Sequence, residues 1–236
     1  MKCLLSVCLV ALLSVAIGHV IEQSANASQE SAPALQQGVS VKMAGASNAQ
    51  PMPEADNADA WIITVTAEGQ LYFGVDPVTP AALRERMIRT PRKRSQRLYI
   101  KADARASFAD VQKALKAASG ADIESPVLLV SRHSSSKPGT MVAPEGLEVL
   151  LDGAANSGAM TVLEFDSMAG SSTVKVADQE IPLAGLHDRL LQIVPSKKER
   201  TILLRADSRS RFADVAQVID ACRAAGAKVV VAMPVV

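Results

Sequence analysis

Aromatic side chains are scarce in this chain of 236 residues, which has one Trp, two Tyr and four Phe, 3% of the total. There are 25 basic residues against 24 acidic ones, a net charge of +1. The chain therefore has neither the stacking platforms nor the positive field that nucleic-acid binding requires, and no nucleic-acid partner is expected. Cysteine is almost absent too. Cys3 and Cys8 fall in the first ten residues, so removing that segment leaves only Cys222, too few for an internal disulfide or a zinc site. The full chain is 48% hydrophobic and 21% charged, the composition of a globular protein with one or two small cores.

Only residues 4–21 approach membrane length. Lys2, the apolar run 3–17, and small residues up to Ala25-Asn26-Ala27 before Ser28 read as a secretory signal peptide, with a second cleavage site near Gly18. The same stretch reads as an uncleaved signal anchor if Ser6, Ser14 and His19 are tolerated in a thinned bilayer. Both readings put the rest of the chain outside the cytoplasm. Residues 1–27 are thus signal peptide or anchor. Residues 28–60, rich in Ala, Ser, Gln, Asn and Pro, are expected to form a disordered tether. A second break, residues 134–159, opens with Ser134-Ser135-Ser136-Lys137-Pro138-Gly139 and closes with a Gly/Ala/Asn/Ser run, so it reads as a linker. Within it, residues 144–151 offer a short helix with Pro144 at its first position.

The most informative feature is a repeat. Lys101-Ala102-Asp103-Ala104-Arg105-Ala106-Ser107-Phe108-Ala109-Asp110-Val111 returns as Arg205-Ala206-Asp207-Ser208-Arg209-Ser210-Arg211-Phe212-Ala213-Asp214-Val215. Strand-like runs precede both copies. Helical patterns follow, in which Phe108, Val111, Leu115 and Ala118 match Phe212, Val215, Ile219 and Cys222 on one apolar face. Upstream, residues 61–66 and 71–73 read as strands around a Glu68-Gly69 turn, followed by a helix capped by Thr79 with Pro80 just inside. In the second copy residues 161–165 and 173–176 are the strands. Leu183, Leu186, Leu190 and Val194 mark the helix, which stops at Pro195. Residues 61–133 and 160–236 are therefore expected to be two α+β modules. Each is β-β-α-β-α-β, with both helices on one face of a mixed four-stranded sheet. The last strands, such as Val229-Val230-Val231, are expected at open edges, able to pair or to accept an extended partner segment.

Glu68-Gly69-Gln70-Leu71-Tyr72-Phe73-Gly74, Leu83, Ile100-Lys101-Ala102-Asp103 and Phe108, with Leu204-Arg205-Ala206-Asp207, Phe212, Val215 and Ala225-Gly226 in the second copy, resemble the periplasmic domain of the ExbD/TolR biopolymer-transport family. The resemblance implies a non-enzymatic, extracytoplasmic component linked to proton-motive-force-driven transport. It would be periplasmic, or anchored in the inner membrane and facing the periplasm. The implied partners are a proton-conducting protein, a TonB/TolA-like energised protein, or peptidoglycan. Asp103, Phe108, Asp207 and Phe212 are the repeated family-motif positions. Residues 4–21 contain no Asp, whereas the family's proton coupling uses one in the membrane, which argues against direct proton conduction. Because such domains work in pairs, two copies in one chain suggest an intramolecular pseudo-dimer, with a homo-oligomer as the other arrangement. The alternative function is a free periplasmic scaffold or peptidoglycan-binding protein with no link to a proton motor.

No catalytic, cofactor or metal set emerges. Ser134-Ser135-Ser136-Lys137 has Ser-x-x-Lys spacing but no partner motif. His133 and His187 lack neighbours at ligand spacing. Asp103 and Asp207 read best as turn acceptors leading into the helices. Residues 84–105 hold nine basic residues against two acidic ones, a local charge of +7. Within them Arg92, Lys93, Arg94 and Arg97 form the candidate contact for an anion or an acidic partner. Glu54, Asp56 and Asp59 are the internal alternative.

Overall fold

A computed structural model describes residues 38–93, 96–132, 144–152, 160–168, 171–176, 179–193 and 201–233. The signal or anchor segment, Arg94, His133, the Ser-x-x-Lys stretch and Val194-Pro195 lie outside the described residues.

In the first repeat, β3 (Trp61–Val65) lies between antiparallel β4 (Leu71–Phe73) and parallel β6 (Leu98–Ala102), and β7 (Val127–Arg132) extends the parallel set. Strand side chains alternate between faces. Trp61, Ile63, Val65, Leu98, Ile100, Leu128 and Val130 turn to the main core. There they meet Leu83 and Met87 of α1 (Pro80–Arg89), and Phe108, Val111, Leu115 and Ala118 of α2 (Phe108–Ser119). The first helix starts as the sequence predicts, with Thr79 accepting from Ala82 N and Pro80 next, and at the second Ser107 accepts from Asp110 N. Gly69 has φ of +80°, and a Cβ there would lie 2.5 Å from Asp110 Oδ2, so this turn favours glycine.

The second repeat follows the same path: β10 (Thr161–Met168), β11 (Ser171–Val176), β12 (Gln179–Pro182), a 3-10 turn, α3 (Leu186–Ile193), β13 (Thr201–Ala206), α4 (Phe212–Ala224) and β14 (Lys228–Val231). The α+β class with two repeats is as expected, but each repeat gains a strand. β5 (Asp76–Val78) and β12 pair antiparallel on the outer side of β4 and β11, giving β-β-β-α-β-α-β. These strands are short and contain Pro77 and Pro182, tolerated because each lies at a sheet edge.

The sheets are also larger than four strands. Among the described residues the first has eight, ordered Gln50–Pro51 (β2), Glu145–Glu148 (β8), β7, β6, β3, β4 and β5, with Gly45–Ala46 (β1) also on β7, and the second has six, ordered β12, β11, β10, β13, β14 and Leu150–Leu151 (β9). The additions come from segments expected to be linker and tether. Residues 144–151 are not a helix: Glu145–Glu148 (β8) pairs antiparallel with β7, and Leu150–Leu151 (β9) pairs parallel with β14. Leu147, Val149 and Leu151 all enter the main core, a period of two that outweighs Pro144 as a helix signal. It follows that Val230 and Val231 are paired with β9, so this last strand is not an open edge there.

Residues 43–60, expected as part of the tether, are also built in. Gly45–Ala46 (β1) pairs with Ser131 and Arg132, and Gln50–Pro51 (β2) pairs with Glu145 and Gly146. The 3-10 turn Pro53–Asp56 sets Met52 and Ala55 onto Ile62, Tyr99, Val127 and Leu129, covering the face of the first sheet opposite its helices. Most of the buried lead residues are alanines, Ala44, Ala46, Ala49 and Ala55, which give little hydrophobic signal in sequence.

The matching face of the second sheet is mixed, with Val162, Leu203 and Val230 paired on it beside a charged row. Across it run Glu180, Lys175, Glu164 and Arg205 in register, alternating in sign.

Candidate functional site

The repeated motif forms a seam where the two repeats meet. Phe108 N donates to Ser210 O at 2.8 Å, and Phe212 N donates to Ala106 O at 2.9 Å. Ala109 N donates to Ser208 O at 2.8 Å, and Ala213 N donates to Ala104 O at 3.0 Å. Ser107 and Arg211 face each other as an antiparallel bridge. Each bond is matched by its counterpart with the repeats exchanged, the pattern of a two-fold interface formed within one chain. Behind the seam, Phe108 and Phe212 are fully buried in one cluster that draws side chains from both repeats.

The two aspartates shape the strands that pair. Asp103 Oδ1 accepts from Arg105 N at 3.0 Å and Nε at 2.9 Å, while Oδ2 accepts from Arg105 Nη2 at 3.1 Å. Asp207 repeats this with Arg209 N at 2.7 Å, Nε at 3.1 Å and Nη2 at 3.2 Å. Backbone turns close beneath both: Ala106 N donates to Asp103 O, and Ser210 N donates to Asp207 O. Hydrogen bonds from Arg105 hold the Asp103 carboxyl at about 2, against the opposing effect of burial. Arg209 lowers Asp207 in the same way. Asp-x-Arg is thus a clamp that leaves the next residues extended for pairing.

The lead residues cross the seam as well. Asp220 of α4 accepts from Ser47 N at 3.0 Å, Asn48 N at 2.8 Å and Asn48 Nδ2 at 3.1 Å. Arg223 Nη1 donates to Glu148 O at 3.2 Å. The repeats therefore do not behave as two domains on a flexible linker, and these cross-links had no signal in sequence.

One seam position is imperfect. Ser210 Oγ is buried without a hydrogen-bond partner, where the first repeat has Ala106. A buried unsatisfied hydroxyl costs about 1–3 kcal/mol. Ser210→Ala is therefore expected to leave stability unchanged or raise it by about 1 kcal/mol, read as a urea midpoint at constant slope. Destabilisation by a similar amount would show that the hydroxyl has a partner.

The basic cluster is less bare than its sequence suggests. Arg92 lies over the Trp61 ring at 5.8 Å and donates to Gln96 O at 2.8 Å. Lys93 and Arg97 line a crevice of about 220 Å³ together with Glu54 and Asp59. Arg92 and Arg97 line another, of about 340 Å³, with Asp122, Glu124 and Glu148. Upstream, Arg86 pairs with Asp76 and Arg89 with Glu85. Acids from the lead and from loops distant in sequence thus interleave with the cluster, and a local count along the chain misses most of them.

Burial pushes the Cys222 thiol up to about 12, which keeps it protonated and packed in the core. His187 lies at the surface beside Asp188. Among the described residues no three His, Cys, Asp or Glu side chains are grouped to hold a metal.

The family model described as biopolymer transport protein ExbD/TolR matches the chain twice, over residues 28–133 and 127–233. Each match takes in the strands that lead into its repeat, β1 and β2 in one and β8 and β9 in the other. No curated protein and no solved structure matches the chain.

Proposed function

The chain belongs to the ExbD/TolR family of biopolymer transport proteins, and from that membership we propose that it is a non-enzymatic component of an envelope energy-transduction complex, facing the periplasm. The observation that carries this reading is the double family match on repeats joined by a two-fold backbone seam. One chain then supplies the paired domain that single-repeat relatives would need two chains to build. The partner is a proton-conducting membrane protein or a TonB/TolA-like energised protein. Among the described residues no helix is long and apolar enough to cross a membrane.

Crosslinking in intact envelopes, followed by identification of the captured proteins, tests the reading. Recovery of an integral membrane partner is expected. Capture of peptidoglycan fragments alone would replace it with the free-scaffold reading.

The basic cluster is the proposed contact for carboxylates of that partner or of peptidoglycan, in competition with its own acids. Changing Arg92, Lys93, Arg94 and Arg97 together to Gln is expected to weaken retention on isolated peptidoglycan several-fold at low salt, and added salt should mimic the change. Equal retention of both forms would remove the cluster from the contact surface.

A further inference from the structure

One arginine is held differently in the two repeats. In the first, Arg86 of α1 pairs with Asp76 at the start of β5, ten residues earlier, and its guanidinium lies over the Phe73 ring at 5.6 Å. In the second, Arg189 of α3 takes the same place. It follows buried Leu186 as Arg86 follows buried Leu83, and its partner Gln179 starts β12 ten residues earlier. The registers agree, with Phe73 opposite Asp76 and Val176 opposite Gln179. Two exchanges therefore separate the sites: the Asp76 carboxylate becomes the neutral Gln179 amide, and the Phe73 ring becomes the smaller Val176. Arg189 Nη2 donates to Gln179 Oε1, and Nη1 donates to Gln192 Oε1 at 2.9 Å. These two amides orient the guanidinium without neutralising it, and they use two of its five donors. Arg189 lies in a groove of about 610 Å³ between β12 and α3, lined also by Ile181, Pro182 and Gly185.

We propose that this groove docks an acidic side chain of a partner protein, whose carboxylate takes on Arg189 the role that Asp76 plays on Arg86. The first repeat supplies the template for the contact, and the oriented guanidinium fork suits a carboxylate, which accepts two parallel N–H bonds. Glu180 and Asp188 also line the groove, Asp188 beside His187. A second carboxylate on the occupant would be repelled there, so a single acid is selected. Ile181 and Pro182 offer an apolar wall to its neighbour. The contact is made by side chains, with no strand added to β12, and it does not depend on which complex the chain joins.

The probe is acetyl-Leu-Glu-amide, with acetyl-Leu-Gln-amide as the neutral control, titrated into the full chain and followed by NMR of arginine Nε–H and glutamine side-chain amide signals. The signals of Arg189, Gln179 and Gln192 are expected to shift at millimolar acidic peptide, and the control should bind about tenfold more weakly, the loss of a charge-assisted contact. Gln179→Asp copies the first repeat and supplies the carboxylate from within, so it should weaken binding about tenfold while the backbone amide spectrum stays that of the folded chain. Arg189→Gln should remove the shifts of Gln179 and Gln192. Equal shifts from the two peptides, or unchanged binding in Gln179→Asp or Arg189→Gln, would overturn the proposal. Binding that appears only after Asp178→Asn would overturn it as well, by showing that this neighbouring carboxylate already serves Arg189.

Discussion

Phe212→Ala is expected to cost about 3–5 kcal/mol, the usual penalty for emptying a buried aromatic site, and to lower the stability of both repeats together. Phe212 is fully buried at the start of α4, its N–H bonds to the first repeat, and its ring belongs to the cluster that runs through both. The single tryptophan makes this observable, because Trp61 is in the first repeat. Urea unfolding followed by Trp61 fluorescence and by far-UV circular dichroism should give one coincident transition, displaced in the variant by the same amount for both probes. If the tryptophan transition stays at its wild-type midpoint, the repeats are energetically separate and the shared core is not what holds them.

Asp103→Asn is expected to lower stability at neutral pH by about 2 kcal/mol, through the weakening of charge-assisted bonds to Arg105 and the Lys42 amide. Its effect on pH dependence is the sharper test. With the native carboxyl at about 2 and an ordinary aspartate near ~3.9 when unfolded, the charged form favours folding. That contribution is fully present above about pH 4 and is lost as the pH falls towards 2. The wild type should therefore lose stability across this window more steeply than the variant. Asp207→Asn should act in the same direction but less, because its carboxylate is more exposed and lacks the Lys42 bond. Parallel profiles for wild type and Asp103→Asn between pH 4 and pH 2 would show that the carboxylate is not held by the clamp.

Much of the architecture was legible in the chain because local chemistry and tertiary structure agree. Thr79-Pro80 opens a helix, the Leu98 to Ala102 run is a strand, and the Phe108 and Phe212 stripes face a core. The segments that escaped reading form short strands inside stretches whose composition reads as tether or linker. The lead is held by alanines and backbone pairing, and β9 is only two residues long. The seam was the least legible feature. Its bonds run between main-chain atoms, which any non-proline residue supplies. The repeated Asp-x-Arg turns were visible as a motif, but what they present became apparent only once the two copies lay side by side. The basic cluster erred the other way: it was conspicuous in sequence because the acids that line the same crevices, Glu54, Asp122 and Glu148 among them, are remote along the chain.

The most direct measurement of the central claim, that the two repeats form one body through a two-fold backbone seam, is native-state hydrogen exchange at the amides of Phe108, Ala109, Phe212 and Ala213. All four should be strongly protected, the symmetry-related pairs should match, and exchange should require the same free energy as global unfolding. Exchange of these amides at the rate of exposed loops, while the strands of both sheets stay protected, would contradict it.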